Sequence, residues 1–296
     1  MEFMVRSFGG RVCEALNARL LFVLDNCGTV PSVRGSSQLI SYNPPMPDTE
    51  NKTIGKYLIG CAGWSIPRED AAAFPAEGSH LERYARVFKV AEINSSFHRP
   101  HRPQTYARWA ASVPDDFRFS VKLPRTITHD ARLADVDTLL ARFVEEAGGL
   151  GDKLACLLFQ LPPKLDFDAP VAARFVAQLR ERFGCMLACE ARHPSWFDDE
   201  ATALLTQYGV TRVIADPAAG QSGPHVPTTA DIYVRLHGAP RVYYSPYSED
   251  YLAALARDMT VHAGAGRTVW CIFDNTASGA ATPNALALQG ALRQTD

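Results

Sequence analysis

Met186-Leu187-Ala188-Cys189-Glu190-Ala191-Arg192-His193-Pro194-Ser195-Trp196 begins as a short apolar run and ends in a cluster of charged and aromatic residues. In a β-strand successive side chains point to opposite faces. Ala188, Glu190 and Arg192 then share one face, and Leu187, Cys189 and Ala191 share the other. A carboxylate and a guanidinium at the end of an apolar strand fit two readings: a buried ion pair that fixes packing, or a site. The rest of the chain weighs between them.

The same shape recurs along the sequence. Apolar runs of strand length occur at 57–62, 89–94, 117–122, 154–160, 186–191, 211–216, 231–237 and 268–273. They alternate with amphipathic stretches near 79–87, 103–112, 135–148, 169–183, 199–207, 249–263 and 282–293, of which Leu139, Phe143, Val144 and Ala147 illustrate the helical spacing. Pro103 and Pro170 suit first turns of helices, and Gly184 and Gly209 suit helix exits. Eight strands with interleaved helices predict an α/β fold, a single (β/α)8 TIM barrel over residues 57–296. The link at 217–230 reads as a loop. A doubly wound open sheet is the alternative, but Gly60-Cys61-Ala62-Gly63-Trp64 after the first strand lacks the full phosphate-loop fingerprint. Residues 1–56 carry no sustained periodicity. They read as a poorly ordered or accessory N-terminal extension, with Met46 a candidate natural start.

The 296 residues are 47% hydrophobic and 21% charged, ordinary for a globular protein. A formal net charge of −2 argues against bulk electrostatic binding to nucleic acid or to an anionic membrane. No apolar stretch reaches the length of a membrane span, and no secretion signal is read. Seven cysteines without a CxxC pair fit buried thiols in a reducing cytoplasm better than disulfides or zinc.

The strand ends carry the functional signal. In order they offer Trp64, Glu92 with Asn94, Lys122, Gln160, Glu190 with Arg192, Asp216, Arg235 with His237, and Asp274-Asn275. In a barrel these groups meet at the C-terminal mouth, where active sites of this fold lie. Glu92 and Glu190 are the candidate acid/base pair, Lys122 stabilises charge, and His237 suits proton transfer near neutral pH. Asn94, Gln160, Arg192, Asp216, Arg235, Asp274 and Asn275 are candidate ligand contacts. Trp64, Phe97, Trp196 and Tyr244 are expected as aromatic surfaces for a ring, with Tyr243 and Tyr247 nearby. His98, Arg99, His101, Arg102 and Arg241 add local positive charge and point to an anionic ligand. Glu92, Glu190, Asp216 and His237 are also hard donors of the type that hold magnesium or manganese. Lys122, Arg192 and Arg235 would already neutralise those carboxylates, so neither metal nor cofactor is expected. There is no GxSxG elbow and no Walker A loop.

These residues resemble the YecE-like family, known as domain of unknown function 72. The resemblance is carried by Gly60-Cys61-Ala62-Gly63-Trp64-Ser65, Glu92-Ile93-Asn94-Ser95-Ser96-Phe97 and Pro114-Asp115-Asp116-Phe117-Arg118-Phe119-Ser120-Val121-Lys122. Phe159-Gln160-Leu161-Pro162-Pro163, Glu190-Ala191-Arg192-His193-Pro194-Ser195-Trp196-Phe197 and Tyr233-Val234-Arg235-Leu236-His237-Gly238 continue it in the same order. It implies a TIM barrel in a bacterial or archaeal cytoplasm, without a settled reaction. Three positions depart from the family pattern: His98 replaces a usual Tyr, Asp274 replaces a usual Asn, and the Trp and Tyr expected near 66–70 are missing. The expectation is an enzyme using acid/base chemistry on a small polar or anionic substrate, such as a sugar, sugar phosphate or nucleotide-derived compound. A metal-dependent isomerase or hydrolase and a non-catalytic ligand- or nucleic-acid-binding protein are the alternatives.

Overall fold

The computed structural model describes residues 57–294; the expected extension over 1–56 lies outside them. Nine strands are parallel neighbours in one sheet, in the order β6-β5-β4-β3-β2-β1-β9-β8-β7. They are β1 (Tyr57–Ala62), β2 (Val90–Ile93), β3 (Arg118–Lys122), β4 (Leu154–Gln160), β5 (Met186–Glu190), β6 (Val210–Arg212), β7 (Ile214–Asp216), β8 (Ile232–Leu236) and β9 (Val269–Phe273). The helices are α1 (His80–Ala85), α2 (Pro103–Ala111), α3 (Asp137–Ala147), α4 (Ala169–Arg182), α5 (Asp199–Gln207), α6 (Glu249–Gly264) and α7 (Ala281–Arg293).

β6 and β7 are two halves of the sixth expected strand, interrupted at Val213. The first half pairs with β5 and the second with β8. Both edges of the sheet therefore belong to one short chain segment, and the sheet rolls into a nearly closed barrel. The open-sheet alternative is thereby set aside. Residues 217–231 connect β7 to β8 without a helix.

Alternation along each strand sorts the side chains into two cores. Ile59, Ala91, Val121, Leu157, Phe159, Leu187, Val234 and Phe273 face outward and pack with the helices. Leu58, Val90, Cys156, Leu158, Ala188, Val213, Tyr233, Trp270 and Ile272 fill the interior. One step further along the same inward rows, apolar residues give way to Glu92, Lys122, Gln160, Glu190, Arg235 and Asp274, all buried. The barrel thus has an apolar floor and a charged mouth. Of the seven cysteines, Cys61, Cys156, Cys189 and Cys271 are buried free thiols within these cores.

Local signals in the sequence place the helices. Ser79 and Glu82 form a capping box at α1, Asp168 accepts from Val171 N at α4, and Ser248 accepts from Tyr251 N at α6. Gly60 has a different task. The Tyr84 hydroxyl is wedged between β1 and β2, accepting from Cys61 N at 2.7 Å and lying 3.0 Å from Val90 O. A Cβ on Gly60 would stand 2.0 Å from that carbonyl oxygen, so only glycine fits there.

Candidate active site

Arg235 is the centre of the mouth. It rises from β8, is fully buried, and reaches three carboxylates from three other strands. Nε donates to Glu92 Oε2 at 3.0 Å and Nη2 to Glu92 Oε1 at 2.6 Å, a bidentate grip on β2. Nη1 donates to Glu190 Oε2 at 2.5 Å, and Nη2 also reaches Asp274 Oδ2 at 3.0 Å. The Tyr233 hydroxyl lies 3.0 Å from Glu92 Oε2 and 2.8 Å from Ser120 Oγ, closing the network from below. A buried guanidinium can persist only with such partners. Burial alone would lower the Arg235 pKa, but Glu92, Glu190 and Asp274 outweigh it and hold the cation firmly charged.

His237, two residues on, shares the inward face. Nδ1 meets Asp274 Oδ2 at 3.0 Å, and Nε2 lies 3.2 Å from Glu190 Oε1. Nε2 is buried and makes no aligned hydrogen bond. Burial lowers the imidazole pKa, Glu190 and Asp274 raise it, and the net effect is upward. Burial likewise pushes the Glu190 carboxyl up, but Arg235, His237 and Arg192 together hold it well below the usual range. Arg192 donates to Glu190 Oε1 from Nε at 3.1 Å and from Nη2 at 2.8 Å while remaining partly exposed. Thus the initial choice between ion pair and site has a double answer: Glu190 makes ion pairs, and they lie at the mouth.

Lys122 ends β3. Its Nζ lies 4.2 Å above the Phe97 ring, and His129 meets the edge of the same ring at 5.0 Å. Burial, reinforced by Arg235, lowers the Lys122 pKa to about 8, although Glu92, Glu190 and Asp274 pull the other way. Two clefts flank this layer. The larger, about 340 Å³, is lined by Trp64, His80, Glu92, Asn94 and Ser95 among others. The smaller, about 150 Å³, has Glu190, Arg192 and His237 on one side and Ala215, Pro217, Ala218, Ala219 and Val242 on the other. Gly220, at φ +74°, lets the 217–231 loop lie against the Arg192 backbone; a Cβ there would be 2.5 Å from Arg192 O.

Not every expected contact joins the mouth. Asp216 pairs in register with Leu236, an outward residue, and its Oδ1 lies 3.0 Å from the Tyr247 hydroxyl. Inward alternation runs through Thr211, Val213 and Ala215, so Asp216 falls on the other face. Asn275, one step past inward Asp274, donates to Ser245 O and Asn284 Oδ1, tying the loop after β8 to α7. Trp196 is 1% exposed; its indole N–H donates to Leu165 O and it packs on Phe167. The expectation of an exposed aromatic at 196 is corrected, and buried Tyr247 is corrected with it. Gln160 is buried beside Glu190 in register. Tyr244 is exposed and stacks under Arg241 at 3.8 Å, on the rim.

Tyr243 was expected among the aromatics that shape the mouth, but its backbone strain was not. In the structure it adopts φ +69°, a conformation costly for a bulky residue, and its ring meets His237 edge-on at 5.8 Å. Tyr233 and His129 were passed over. Tyr233 is inward by parity with Arg235, which was the available signal.

No helix among the described residues is long and apolar enough to cross a membrane. Among them, no group of three or more His, Cys, Asp or Glu side chains is placed to hold a metal ion.

Comparison with known proteins agrees with the fold. A family model described as "Protein of unknown function DUF72" matches residues 58–296. The UPF0759 protein YecE of Escherichia coli is 33% identical over 164 residues, 53% of this chain and 58% of that protein. The match thus spans little more than half the length of that relative. The UPF0759 protein YunF of Bacillus subtilis is 23% identical over 257 residues, covering 76% of this chain and 91% of that one. Among solved structures, a DUF72 family protein from Thermotoga maritima superposes with TM-score 0.67 at 25% identity, covering 81% of this chain and 100% of the other. One from Enterococcus faecalis gives TM-score 0.68 at 21% identity, covering 80% and 95%. The barrel with the Arg235-centred mouth therefore belongs to the DUF72 family of proteins of unknown function.

Proposed function

We propose that this protein is an enzyme that performs acid/base chemistry on a small anionic substrate bound at the C-terminal mouth of the barrel. The observation that carries the reading is His237, its imidazole held between Glu190 and Asp274 and bordering a cleft beside Arg192. A histidine whose proton is favoured by two carboxylates, at the border of a cleft, is suited to deliver a proton. Charge supports an anion. The three carboxylates Glu92, Glu190 and Asp274 face four cationic groups, Arg235, Arg192, Lys122 and His237, so the layer has a positive excess while all four are protonated.

The roles differ from the expected Glu92 and Glu190 acid/base pair, because Arg235 holds both carboxylates. Glu92 is fully engaged by Arg235 and positions it. Glu190 sets the charge of His237, and proton transfer falls to His237 and Lys122. Trp64 and Asn94 line the larger cleft and would hold the rest of the substrate. The bacterial relatives and the buried free thiols are consistent with a cytoplasmic setting.

Calorimetric titration with a panel of sugar phosphates, nucleotides and small carboxylic acids tests the reading. An anionic member of the panel should bind the wild type, and Arg192→Met should weaken that binding about tenfold, or 1.4 kcal/mol. Indifference of the wild type to every anion, or equal binding by the variant, would remove the basis for the proposal.

A further inference from the structure

We propose that Lys122 is an imine-forming amine that captures a small hydroxy-aldehyde or hydroxy-ketone bearing an anionic group. The inference rests on the reading of the mouth as an anion-binding active site and names its substrate class.

The first support is how the mouth distributes its counter-ions. Arg235 binds Glu92, Glu190 and Asp274; Arg192 adds a second grip on Glu190; His237 adds a second on Asp274. No described carboxylate is left within ion-pair distance of Lys122, whose near neighbour is the Phe97 ring. A lysine needed only for charge balance would be expected to face one of these carboxylates. Here the arginines have taken them, and the amine stands apart on an aromatic face.

The second support is Asn94. Register pairs Ile93 with Val121, and Asn94 and Lys122 are the next residues along the two chains. Asn94 Nδ2 donates to Asp274 Oδ1 at 3.3 Å, while Asn94 Oδ1 is buried with no donor. A buried orphan acceptor in a cleft wall calls for a donor, which a ligand hydroxyl supplies. A carbonyl substrate with a neighbouring hydroxyl supplies one, and so does the carbinolamine formed on attack. Asn94 also lines the 340 Å³ cleft, which offers Trp64 as a wall for the carbon chain.

The third support is the opposite side of the mouth. With β6 and β7 counted as one strand, β8 stands four strands from β3 around the ring. His237 and Lys122 therefore rise from opposite sides of the ring, and Arg235 between them holds Glu92, Glu190 and Asp274. The neutral amine attacks the carbonyl carbon, forming the C–N bond as the carbonyl π pair moves to oxygen. One amine N–H proton passes to that oxygen. A further proton, from water entering the mouth, lets the hydroxyl leave as water, and the nitrogen lone pair closes the protonated imine. Neither oxidant nor reductant is required. Burial also helps supply the reactive form, since a lysine near 8 is neutral in about one molecule in ten at pH 7.

Reductive trapping tests the assignment. The full chain is incubated at pH 7 with sodium cyanoborohydride and, separately, dihydroxyacetone phosphate, glyceraldehyde 3-phosphate or pyruvate, and the modified lysine is mapped by peptide mass spectrometry. At least one phosphorylated probe should label Lys122 about tenfold faster than the exposed Lys89 and Lys164, and Lys122→Arg should abolish that excess. Labelling of Lys122 no faster than of those surface lysines with all three probes would overturn the inference. If a probe binds by calorimetry and Arg192→Met weakens it, yet nothing is trapped at Lys122, the imine falls and the anion-binding site stands. If trapping at Lys122 proceeds unchanged in Arg192→Met, the imine stands and the assignment of anion binding to Arg192 falls.

Discussion

Lys122 and Arg235 share a face of the barrel and differ in what the fold grants them. Arg235 has three carboxylates, so its charge is stable; losing it would strand three buried anions, a cost of several kcal/mol. Lys122 has none within ion-pair distance, and its pKa falls from 10.5 to about 8, mainly through burial. That depression is a stability cost of about 3 kcal/mol at neutral pH. The sign follows from proton counting. Between about 8 and 10.5 the unfolded chain binds more protons at this site than the folded one, so the cost is complete below 8 and fades as pH rises towards 10.5. Lys122→Met, which keeps the apolar stem over Phe97, should therefore raise the urea midpoint at pH 7, and the gain should shrink by pH 10. An unchanged or lowered midpoint at pH 7 would show that the ammonium is better satisfied than its surroundings indicate. The other members of the layer act in the opposite sense. The depressed carboxyls of Glu190 and Asp274 contribute stability above the ordinary carboxylate range and lose it in acid. The raised imidazole of His237 contributes below 6.5 and loses it as pH climbs through its folded value.

Among the elements, strand and helix positions were legible because most strands here are buried on both faces and the helices on one, which writes two different periods into the chain. The polar strand ends were legible too, since an apolar run that stops at a charge marks the barrel floor giving way to its mouth. Parity was less legible. Asp216 and Asn275 close their strands as visibly as Glu92 does, yet they stand one residue out of phase with the inward row, and neither length nor composition reveals the phase. The same difficulty hid Trp196, whose burial under the loop that contains Leu165 depends on a chain crossing far away in sequence. Gly60 shows what a motif glycine does at this scale: the β1–β2 ladder opens enough to admit the Tyr84 hydroxyl, leaving no volume for a methyl group. Gly60→Ala should destabilise the barrel by about 3 kcal/mol or more in chemical denaturation. Combining it with Tyr84→Phe should not restore the loss, because the nearest atom is the Val90 carbonyl oxygen, 2.0 Å away.

At the scale of the whole molecule, the barrel keeps its charge in one layer. Arg235 pulls β2, β5 and β9 together from β8, so the residues that would bind a substrate are also those that cinch the mouth. Pairing across the barrel was not readable from sequence, because a strand end says that a charge is present and not which other charge will claim it. The interruption at Val213 has a mechanical consequence. Everywhere else adjacent strands are zipped by backbone ladders, but β6 is zipped only to β5 and β7 only to β8. The belt is fastened at that point by covalent chain, and its buckle is the segment from Arg212 to Ile214. Adding slack there should let the belt open, whereas slack in the neighbouring loop should not. A short Gly-Ser insertion between Val213 and Ile214 should lower Tm sharply in the full chain, while the same insertion between Gly223 and Pro224 should leave it nearly unchanged. Equal tolerance at both places would mean that the helices outside, and not the circumference itself, hold the barrel round.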